Sequence, residues 1–443
     1  MSCMTNEWCK NFITLKNYNP MDIFQIPSYK RISFTNYVVD CFYIDIKNAS
    51  HYFLSHFHSD HYYGLKKSFS YPIYCSITTA NLIELKYKCK TMPLENNKNY
   101  CLEDGNIVSL IDAHHCPGAV CFIFYVNGAF VLHTGDFRCT YDFTLQLMKY
   151  KFTTIFLDNT FEGKKPFPSQ EDVIHRVLDI MRNNKNKNCL VPINYKYLFC
   201  TYMIGKEKIF LCAAEFFDMS IKIEPDKFKV YKCYDQYAID LLNTEVRNIV
   251  NNYREKIKNL KEKSTNITQI KRTIIPKVEK KLSVERKKKK INPGSILKFC
   301  KSKNVLNDKT NLGDIKKEAQ TKNNNSNTYC GNLPWSRLTT ETKENQLLVI
   351  STQHIEKKRL HKILDNVKAD RVTVFCGTGW HDKTVSFDWC KSDGRKTKKG
   401  VEIIHVPYSE HSSSAELDYF KKHMNYDLII NTVKNKSRND RDI

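Results

Sequence analysis

The residues best suited to chemistry form a short cluster of histidines with one aspartate. His56, His58, Asp60 and His61 follow an apolar stretch in the spacing H-x-H-x-D-H. In an extended chain, residues two apart point the same way, so His56, His58 and Asp60 share one direction and His61 faces the other side or turns into the next element. Neutral imidazoles and a carboxylate suit zinc, with manganese or iron as substitutes. The cluster therefore predicts a loop that feeds two neighbouring metal ions.

Further potential ligands follow predicted strands downstream. His115 lies in a predicted loop between two apolar strands. Asp136 follows a buried-strand pattern at a glycine turn, where its carboxylate is well placed to bridge two ions. His411 follows the predicted strand 401–406 and offers a last imidazole. Each residue alone could be structural, but in this order after the first cluster they predict a complete two-metal site.

Composition limits the class of protein. The 443 residues, 41% of them hydrophobic, predict one large or two modest domains with a real core. No apolar run approaches the ~20 residues of a membrane-spanning helix. The first residues lack the basic and apolar regions of a signal peptide, so secretion is not expected. The 17 scattered cysteines predict reduced thiols, as in the cytosol or nucleus.

The positive charge is concentrated in one segment. Residues 251–320 contain 21 Lys and Arg but 7 Asp and Glu, so they carry +14 of the formal net charge of +23. The segment includes the basic run 286–290 and is followed by the asparagine-rich run 323–327. We expect a largely disordered insertion, with a helix from residue 235 to about 263 leading into it. Its role could be nuclear import, attraction to DNA phosphates, or none.

Several segments carry a family resemblance, and they run in order between residues 26 and 433. They are VDCF (39–42), HFHSDH (56–61), YCS (74–76), HCPGAV (115–120), HTGDFR (133–138), LDNTF (157–161), FPSQ (167–170), TYMIGKEK (201–208), TGW (378–380) and YSEHSS (408–413). On these segments the chain resembles nucleases of the metallo-β-lactamase fold, β-CASP branch, in the DNA cross-link repair group of the 1A and Artemis type. The resemblance implies an α/β fold: a metallo-β-lactamase αββα sandwich with an inserted β-CASP cap.

The resemblance also implies a domain plan. Residues 1–25 would be an N-terminal extension and 26–169 the first part of the metallo-β-lactamase domain. Residues 170–376 would hold the β-CASP region, with the Lys/Asn-rich insertion at about 251–340. Residues 377–443 would return to the metallo-β-lactamase domain.

The family implies a role for each candidate site residue. We expect His56, His58 and His115 on one metal. We expect Asp60, His61 and His411 on the other, with Asp136 bridging the two. One or two Zn²⁺ ions are expected, and Mg²⁺ or Mn²⁺ could serve in activity. Among the catalytic carboxylates, which also include Asp60 and Asp136, Asp40 is expected to hydrogen-bond within the ligand loop and Asp158 to orient a ligand imidazole.

A second expected site is a pocket for a terminal 5′ phosphate. Thr201, Gly205 and Lys206 precede a predicted helix, where backbone N–H groups favour an anion. Ser409, Ser412 and Ser413 would add hydroxyl donors beside His411. The simpler alternative is a surface lysine next to an ordinary helix start.

These features predict a metal-dependent 5′→3′ DNA exonuclease of interstrand cross-link and DNA damage repair. We expect a nuclear monomer that binds DNA with a 5′-phosphate end, has repair-protein partners and binds no membrane. Alternatives are an Artemis-like endonuclease of double-strand break repair, an RNA-processing nuclease, a small-molecule hydrolase and an inactive DNA-binding relative. Val433, where RNA-processing relatives have histidine, favours the DNA branch. Residues 192–198 look inserted, and Met203 and Lys434 replace a family serine and asparagine.

Overall fold

The computed structural model describes residues 21–42, 46–185, 194–288, 334–342, 346–351, 357–379, 383–390 and 398–433. The chain divides into two compact units, one of residues 1–250 with 333–443 and the other of residues 251–332. Sheets and helices alternate along the first unit, so the expected α/β class is confirmed.

A parallel four-stranded sheet begins the first unit, in the order β2-β4-β5-β6. Its strands are β2 (Tyr37–Val39), β4 (His51–Phe53), β5 (Ile73–Ser76) and β6 (Thr91–Leu94). The short strands β1 (Met21–Asp22) and β3 (Ile46–Lys47) pair beside it as a separate ribbon. Helix α1 (Ile77–Lys86) starts directly after β5, because the Ser76 hydroxyl accepts a hydrogen bond from Thr79 N and caps the helix.

A six-stranded sheet shares its core with the four-stranded one. Its order is β19-β11-β10-β9-β8-β7, from strands β7 (Asn99–Cys101), β8 (Ile107–Asp112), β9 (Val120–Val126), β10 (Ala129–His133), β11 (Lys151–Leu157) and β19 (Asn425–Asn431). Phe53 of the first sheet lies 5.3 Å from Phe122 and 5.0 Å from Phe124 of the second, measured between ring centroids. The two sheets therefore form a sandwich around one apolar core.

Two helices pack beside the loop that follows β10. They are α2 (Tyr141–Leu147) and α8 (Ser414–His423). The ring of Phe137 lies 5.6 Å from Phe143 of α2 and 5.6 Å from Phe420 of α8. This packing fixes the chain on either side of Asp136 and, through α8, the segment that carries His411.

A seven-stranded sheet forms the rest of the first unit, in the order β14-β13-β15-β12-β16-β18-β17. Its strands are β12 (Tyr195–Thr201), β13 (Ser220–Lys222), β14 (Leu338–Thr339), β15 (Gln346–Ser351), β16 (Arg371–Gly377), β17 (Lys383–Cys390) and β18 (Lys398–Val406). All its pairs are parallel except β17 with β18. Its accompanying helices are α3 (Gln170–Lys185), α4 (Glu207–Phe217), α5 (Pro225–Tyr231) and α7 (Lys357–Asn366).

The expected return to the metallo-β-lactamase domain at residue 377 is wrong. Strands β17 and β18 belong to the seven-stranded sheet, where β18 pairs with β16. The chain rejoins the sandwich only after Val406, through α8 and through β19, which pairs with β11. Buried parallel strands read as continuous apolar runs in any sheet, so their composition does not tell which sheet they join.

The basic segment is more ordered than expected. Helix α6 runs over Gln236–Lys288, well past residue 263, so a part of the region expected to be disordered is helical. Lys, Arg and Glu are good helix formers, and residues 251–288 contain no glycine. The basic residues 289 and 290, the asparagine-rich run and the rest of the expected insertion up to residue 333 lie outside the described residues. Within the described part of the chain, no helix is both long and apolar enough to cross a bilayer.

The segment that looked inserted, residues 192–198, contributes to a regular strand. Residues 195–198 belong to β12, which pairs in register with β16 from Tyr195 opposite Arg371 onwards. The Leu198 side chain is buried in the core of the seven-stranded sheet. Residues 192 and 193 lie outside the described part of the chain.

Candidate metal centre

The candidate ligands come from the ends of strands in both halves of the first unit. The loop after β4 supplies the histidine cluster, the β8–β9 loop supplies His115, and the loop after β10 supplies Asp136. His411 follows β18 and precedes α8. Loops at strand ends meet at one edge of a fold, which is why ligands so distant in sequence converge.

Asp136 is common to the three groups of side chains that could hold a metal ion. These groups are His56, His58, His115 and Asp136; Asp60, His61 and Asp136; and Asp136, Asp158 and His411. Asp136 Oδ2 lies 3.2 Å from Nε2 of His61, 3.7 Å from Nε2 of His56, 3.8 Å from Nε2 of His115 and 3.9 Å from Nε2 of His411. This carboxylate therefore has the position expected of a bridging ligand.

Three imidazoles crowd together on one side of Asp136. His58 Nδ1 lies 2.9 Å from Nε2 of His56 and 3.1 Å from Nε2 of His115. Burial, together with nearby histidines, holds the pKa values of His56 and His115 well below the usual range. These two rings therefore stay neutral and present lone pairs, as metal ligands must.

The Nδ1 atoms of three of the imidazoles are hydrogen-bonded to oxygen atoms. Asp40 Oδ2 accepts from His61 Nδ1 at 2.7 Å, and Asp158 Oδ2 accepts from His411 Nδ1 at 2.8 Å. His115 Nδ1 lies 2.9 Å from the Glu410 carbonyl oxygen. Such partners fix the tautomer and direction of a ligand ring. Asp40 and Asp158 thus have the orienting positions expected for them.

Asp40 also organises the ligand loop itself. Its two carboxylate oxygens accept from the Ser55 backbone N–H at 2.8 Å and from the Ser55 hydroxyl at 2.7 Å. Burial alone would raise the pKa of Asp40, but the His61 imidazolium outweighs this effect and lowers it. A charged carboxylate therefore anchors the start of the histidine cluster.

The charges around Asp136 balance one another. Burial would raise the pKa of Asp136, but the imidazolium groups of His61 and His411 hold it well below its usual range. Burial would lower the pKa of His411, but Asp158 and Asp136 raise it to about 9. His61 is raised well above its ordinary pKa by Asp136 and Asp40, against the effect of burial. A bound cation would take the place of these protons, so the donor set fits a metal centre.

The three residues expected on the second metal are distributed over two of the three groups that could hold a metal ion, both of which contain Asp136. Asp60 is 77% exposed, and its Oδ2 lies 3.8 Å from His61 Nε2. Asp60 and His61 group with Asp136, whereas His411 groups with Asp136 and Asp158. Asp60 lies in an exposed turn. His411 lies far from Asp60 in the sequence and is hydrogen-bonded to Asp158 instead.

The helix start that was expected to bind phosphate already has its N–H groups occupied. Gly205 N donates to Glu207 Oε1 at 2.8 Å, and Lys206 N donates to Glu410 Oε1 at 2.6 Å. Both carboxylates are buried. An anion at the start of α4 would have to displace these carboxyl groups from the two N–H groups, so the prediction of backbone binding at Gly205 and Lys206 is wrong.

All three predicted serine donors have structural partners, since the Ser409 hydroxyl accepts from His411 N at 3.1 Å. The Ser412 hydroxyl donates to Phe137 O at 3.0 Å and accepts from Cys139 N at 2.8 Å. The Ser413 hydroxyl caps α8 by accepting from Glu416 N. Neither serine lines the cleft, whereas Ser409 does. The buried Thr201 is a partner of another side chain, because its hydroxyl accepts from the ammonium of Lys227.

The metal centre opens into a cleft of about 970 Å³. His58, His115, Asp136 and His411 line it. Basic side chains also line the cleft, namely Lys86, Lys206 and Lys227. The sequence analysis did not identify Lys86 and Lys227, because a single lysine in a helix carries no local pattern that marks it as a cleft residue.

Comparisons with known proteins relate this chain to proteins of DNA repair. The sequence model of the family described as DNA repair metallo-β-lactamase matches residues 333–437. DNA cross-link repair 1A protein of Gallus gallus is 38% identical over 234 residues, which are 50% of this chain and 23% of that protein. DNA cross-link repair protein PSO2/SNM1 of Saccharomyces cerevisiae is 33% identical over 297 residues, 55% of this chain and 44% of that protein.

A third relative is named for its activity. The protein named 5′ exonuclease Apollo of Gallus gallus is 32% identical over 188 residues, 40% of this chain and 38% of that protein. The chain thus spans less than half the length of each of these relatives. The chain is therefore similar to DNA cross-link repair proteins, and its residues 333–437 match the model of the DNA repair metallo-β-lactamase family.

Proposed function

We propose that this protein is a metal-dependent 5′→3′ DNA exonuclease that hydrolyses phosphodiester bonds in the repair of interstrand cross-links and other DNA damage. The observation that carries the proposal is the position of Asp136. Its carboxylate lies within 3.9 Å of four imidazoles at the wall of a cleft that lysines also line. The names of the relatives support the substrate and the direction of cleavage.

The proposed cofactor is one or two Zn²⁺ ions, with Mg²⁺ or Mn²⁺ as alternatives in activity. His56, His58 and His115 would hold one ion, His61, His411 and Asp60 would serve the other, and Asp136 would bridge. Bound ions would supply an activated water and neutralise charge on the phosphate. The contribution of Asp40 and Asp158 is to keep the imidazoles of His61 and His411 in one tautomer and direction.

The anchor for a 5′ phosphate would be formed by side chains rather than by a helix start. Lys206, Lys227 and Ser409 line the same cleft as the metal ligands. The Lys227 ammonium donates to the Thr201 hydroxyl and to the Tyr202 carbonyl, which fixes its position. An anchored strand end next to the metal centre would make cleavage exonucleolytic.

A structure-specific endonuclease of the Artemis type is the second candidate. The carboxylates of Glu207 and Glu410 take the N–H groups of Gly205 and Lys206, which removes one contribution to the anchoring of a free end. An inactive DNA-binding relative is disfavoured, because all seven predicted metal ligands fall within the three metal-capable groups.

The names of the relatives also support a proposal for the cellular setting of this activity. We propose a nuclear protein that works as a monomer beside other repair proteins. The net charge of +23 suits a polyanionic substrate.

The decisive experiment compares 5′-phosphorylated and 5′-hydroxyl single strands with the purified chain, whose metal content is measured by mass spectrometry. An exonuclease releases nucleotides from the 5′ end and slows markedly without the phosphate. Comparable cleavage of a circular single strand would instead identify an endonuclease. Absence of all cleavage by a fully metal-loaded chain would refute the nuclease assignment.

A further inference from the structure

The exposed aromatic side chain of Tyr202 lines the cleft but is not among the candidate metal ligands. Tyr202 follows β12 and precedes α4, and it lines the cleft together with Met203. Tyr202 is 47% exposed and Met203 is 45% exposed, although most aromatic side chains of the sandwich are buried. An exposed aromatic ring in a cleft that also holds the candidate metal ligands and lysines is a potential stacking surface for a nucleobase.

The ring of Tyr202 is held in place from two directions. The Lys206 ammonium lies 3.9 Å from the ring centroid, in the geometry of a cation–π contact. The Lys227 ammonium donates to the Tyr202 carbonyl oxygen and so fixes the backbone. Because backbone and ring are both fixed, stacking on this side chain would cost little conformational entropy.

The position of the ring relative to the metal centre defines which nucleotide it could reach. The Tyr202 ring centroid lies 6.4 Å from that of His58, in an edge-to-face arrangement. His58 in turn contacts His56 and His115. A base stacked on Tyr202 would therefore belong to a nucleotide next to the scissile phosphate.

We propose that Tyr202 is a stacking platform that holds one nucleobase of a single strand beside the metal centre. This inference rests on the proposed nuclease function and adds a positioning residue to it. Lys206 is well placed to support the ring of Tyr202, because its ammonium also donates to the Gly377 carbonyl oxygen at 2.6 Å, which fixes its position. Recognition through a π-face predicts little preference among the four bases but a requirement for a base.

The test uses a 5′-phosphorylated single strand that carries 2-aminopurine at one of its first four nucleotides. The strand is bound to the full chain in an Asp136→Ala background, so that cleavage does not consume it. We expect fluorescence quenching at one position, its loss in Tyr202→Leu and its retention in Tyr202→Phe. Tyr71→Leu is the matched control, because Tyr71 is also 47% exposed but does not line the cleft.

A kinetic measurement complements the binding one. A single abasic residue at the quenched position should lower the kcat/KM of the unaltered chain by roughly 5- to 150-fold. On the normal strand, Tyr202→Leu should lower kcat/KM by a similar factor. In this variant the abasic residue should change kcat/KM little further.

The outcomes separate this inference from the nuclease proposal. Quenching that persists in Tyr202→Leu, quenching at no position, or failure of the strand to bind would overturn the stacking role. A chain that shows Tyr202-dependent quenching but never cleaves would retain the stacking role and refute the nuclease.

Discussion

Asp136 is the residue on which the metal centre depends most directly, since its carboxylate belongs to each of the three ligand groups. We predict that Asp136→Ala lowers metal affinity by more than about 100-fold, the upper end of the effect of losing a residue that only orients a ligand. Nuclease activity should be abolished. The substitution removes no apolar side chain from the sandwich core, so thermal unfolding should remain cooperative. Metal content and a melting curve on the same sample test both statements.

Two further substitutions set the scale of that effect. Asp158→Asn removes the charge that holds His411 but no ligand, so it should weaken metal binding by only about 10- to 100-fold. Asp142→Ala removes an exposed carboxylate in the first turn of α2, and it should leave metal affinity and nuclease activity unchanged. Full activity in Asp136→Ala, or an Asp158→Asn variant as damaged as Asp136→Ala, would contradict the assigned roles.

Lys227 carries a testable pH dependence. Burial lowers its pKa from 10.5 to about 8, although Glu207 and Glu224 act in the opposite direction. The ammonium is therefore charged below about pH 8 and loses its charge as the pH rises through that value. We predict that the preference for a 5′-phosphorylated over a 5′-hydroxyl strand, measured as a ratio of dissociation constants in the Asp136→Ala background, decreases between pH 7 and pH 9.5.

Substitutions of Lys227 show whether the pH dependence comes from this ammonium or from another titrating group. Lys227→Arg keeps the charge at every pH in this range, so the preference should stay high at pH 9.5. Lys227→Met should show a small preference that does not change with pH. A preference that falls equally in the unaltered chain and in Lys227→Arg would assign the pH dependence to another group.

The metal ligands could be predicted from the sequence because their chemistry is written in short segments. His56, His58 and His61 lie within one loop, and Asp136 and His411 each follow a recognisable strand. The occupancy of the α4 start could not be predicted. Glu410 reaches Lys206 N across 204 positions of sequence, and no local pattern announces that contact.

Among the elements, the turn before α4 leaves no room for a larger side chain at Gly205. Gly205 has φ +97°, and a Cβ atom there would lie 2.6 Å from Glu410 Oε2. We predict that Gly205→Ala lowers the free energy of unfolding by clearly more than the roughly 1–2 kcal/mol of an unfavourable positive φ alone. It should also weaken strand binding, because Lys206 and Tyr202 flank this turn. Chemical denaturation measures the first effect and fluorescence anisotropy the second.

Gly128 provides the matched comparison. It has φ +82° in the hairpin between β9 and β10, and a Cβ atom there would have nothing within 4 Å. Gly128→Ala should therefore show only the backbone cost, with strand binding unchanged. Equal losses of stability in the two variants would mean that Glu410 moves aside without penalty.

The elements themselves were largely predictable, but their sheet membership was not. The amphipathic pattern of α3 and the capping serine of α8 are local signals that a sequence carries for a helix. Strands β16 and β18 both contain runs rich in buried apolar residues, so their sequence fits a buried position in either large sheet. The pairing of β16 with β12 and of β18 with β16 decides which sheet they join, and that pairing is a property of the folded chain.

At the scale of the whole molecule, charge is distributed very unevenly. Residues 251–320 carry +14 of the total of +23, and residues 251–332 form a compact unit distinct from the remainder of the chain. The candidate metal ligands all lie in the other unit. This separation predicts that the basic segment can be removed without loss of the metal centre, and that the proposed long-range attraction to DNA would decrease.

We predict that deletion of residues 271–327 leaves folding and metal content intact but weakens nonspecific DNA binding. Each phosphate contact to a single strand contributes a slope of about −0.7 to the logarithm of the association constant against the logarithm of salt concentration. The deletion should therefore make this slope shallower as well as lower the affinity. Replacement of the basic run 286–290 by glutamine should reduce both by a smaller amount and shift the protein from nucleus to cytoplasm. If the deletion variant aggregates, or keeps the affinity and the slope of the full chain, this segment is not an electrostatic tether and the cleft lysines alone account for DNA attraction.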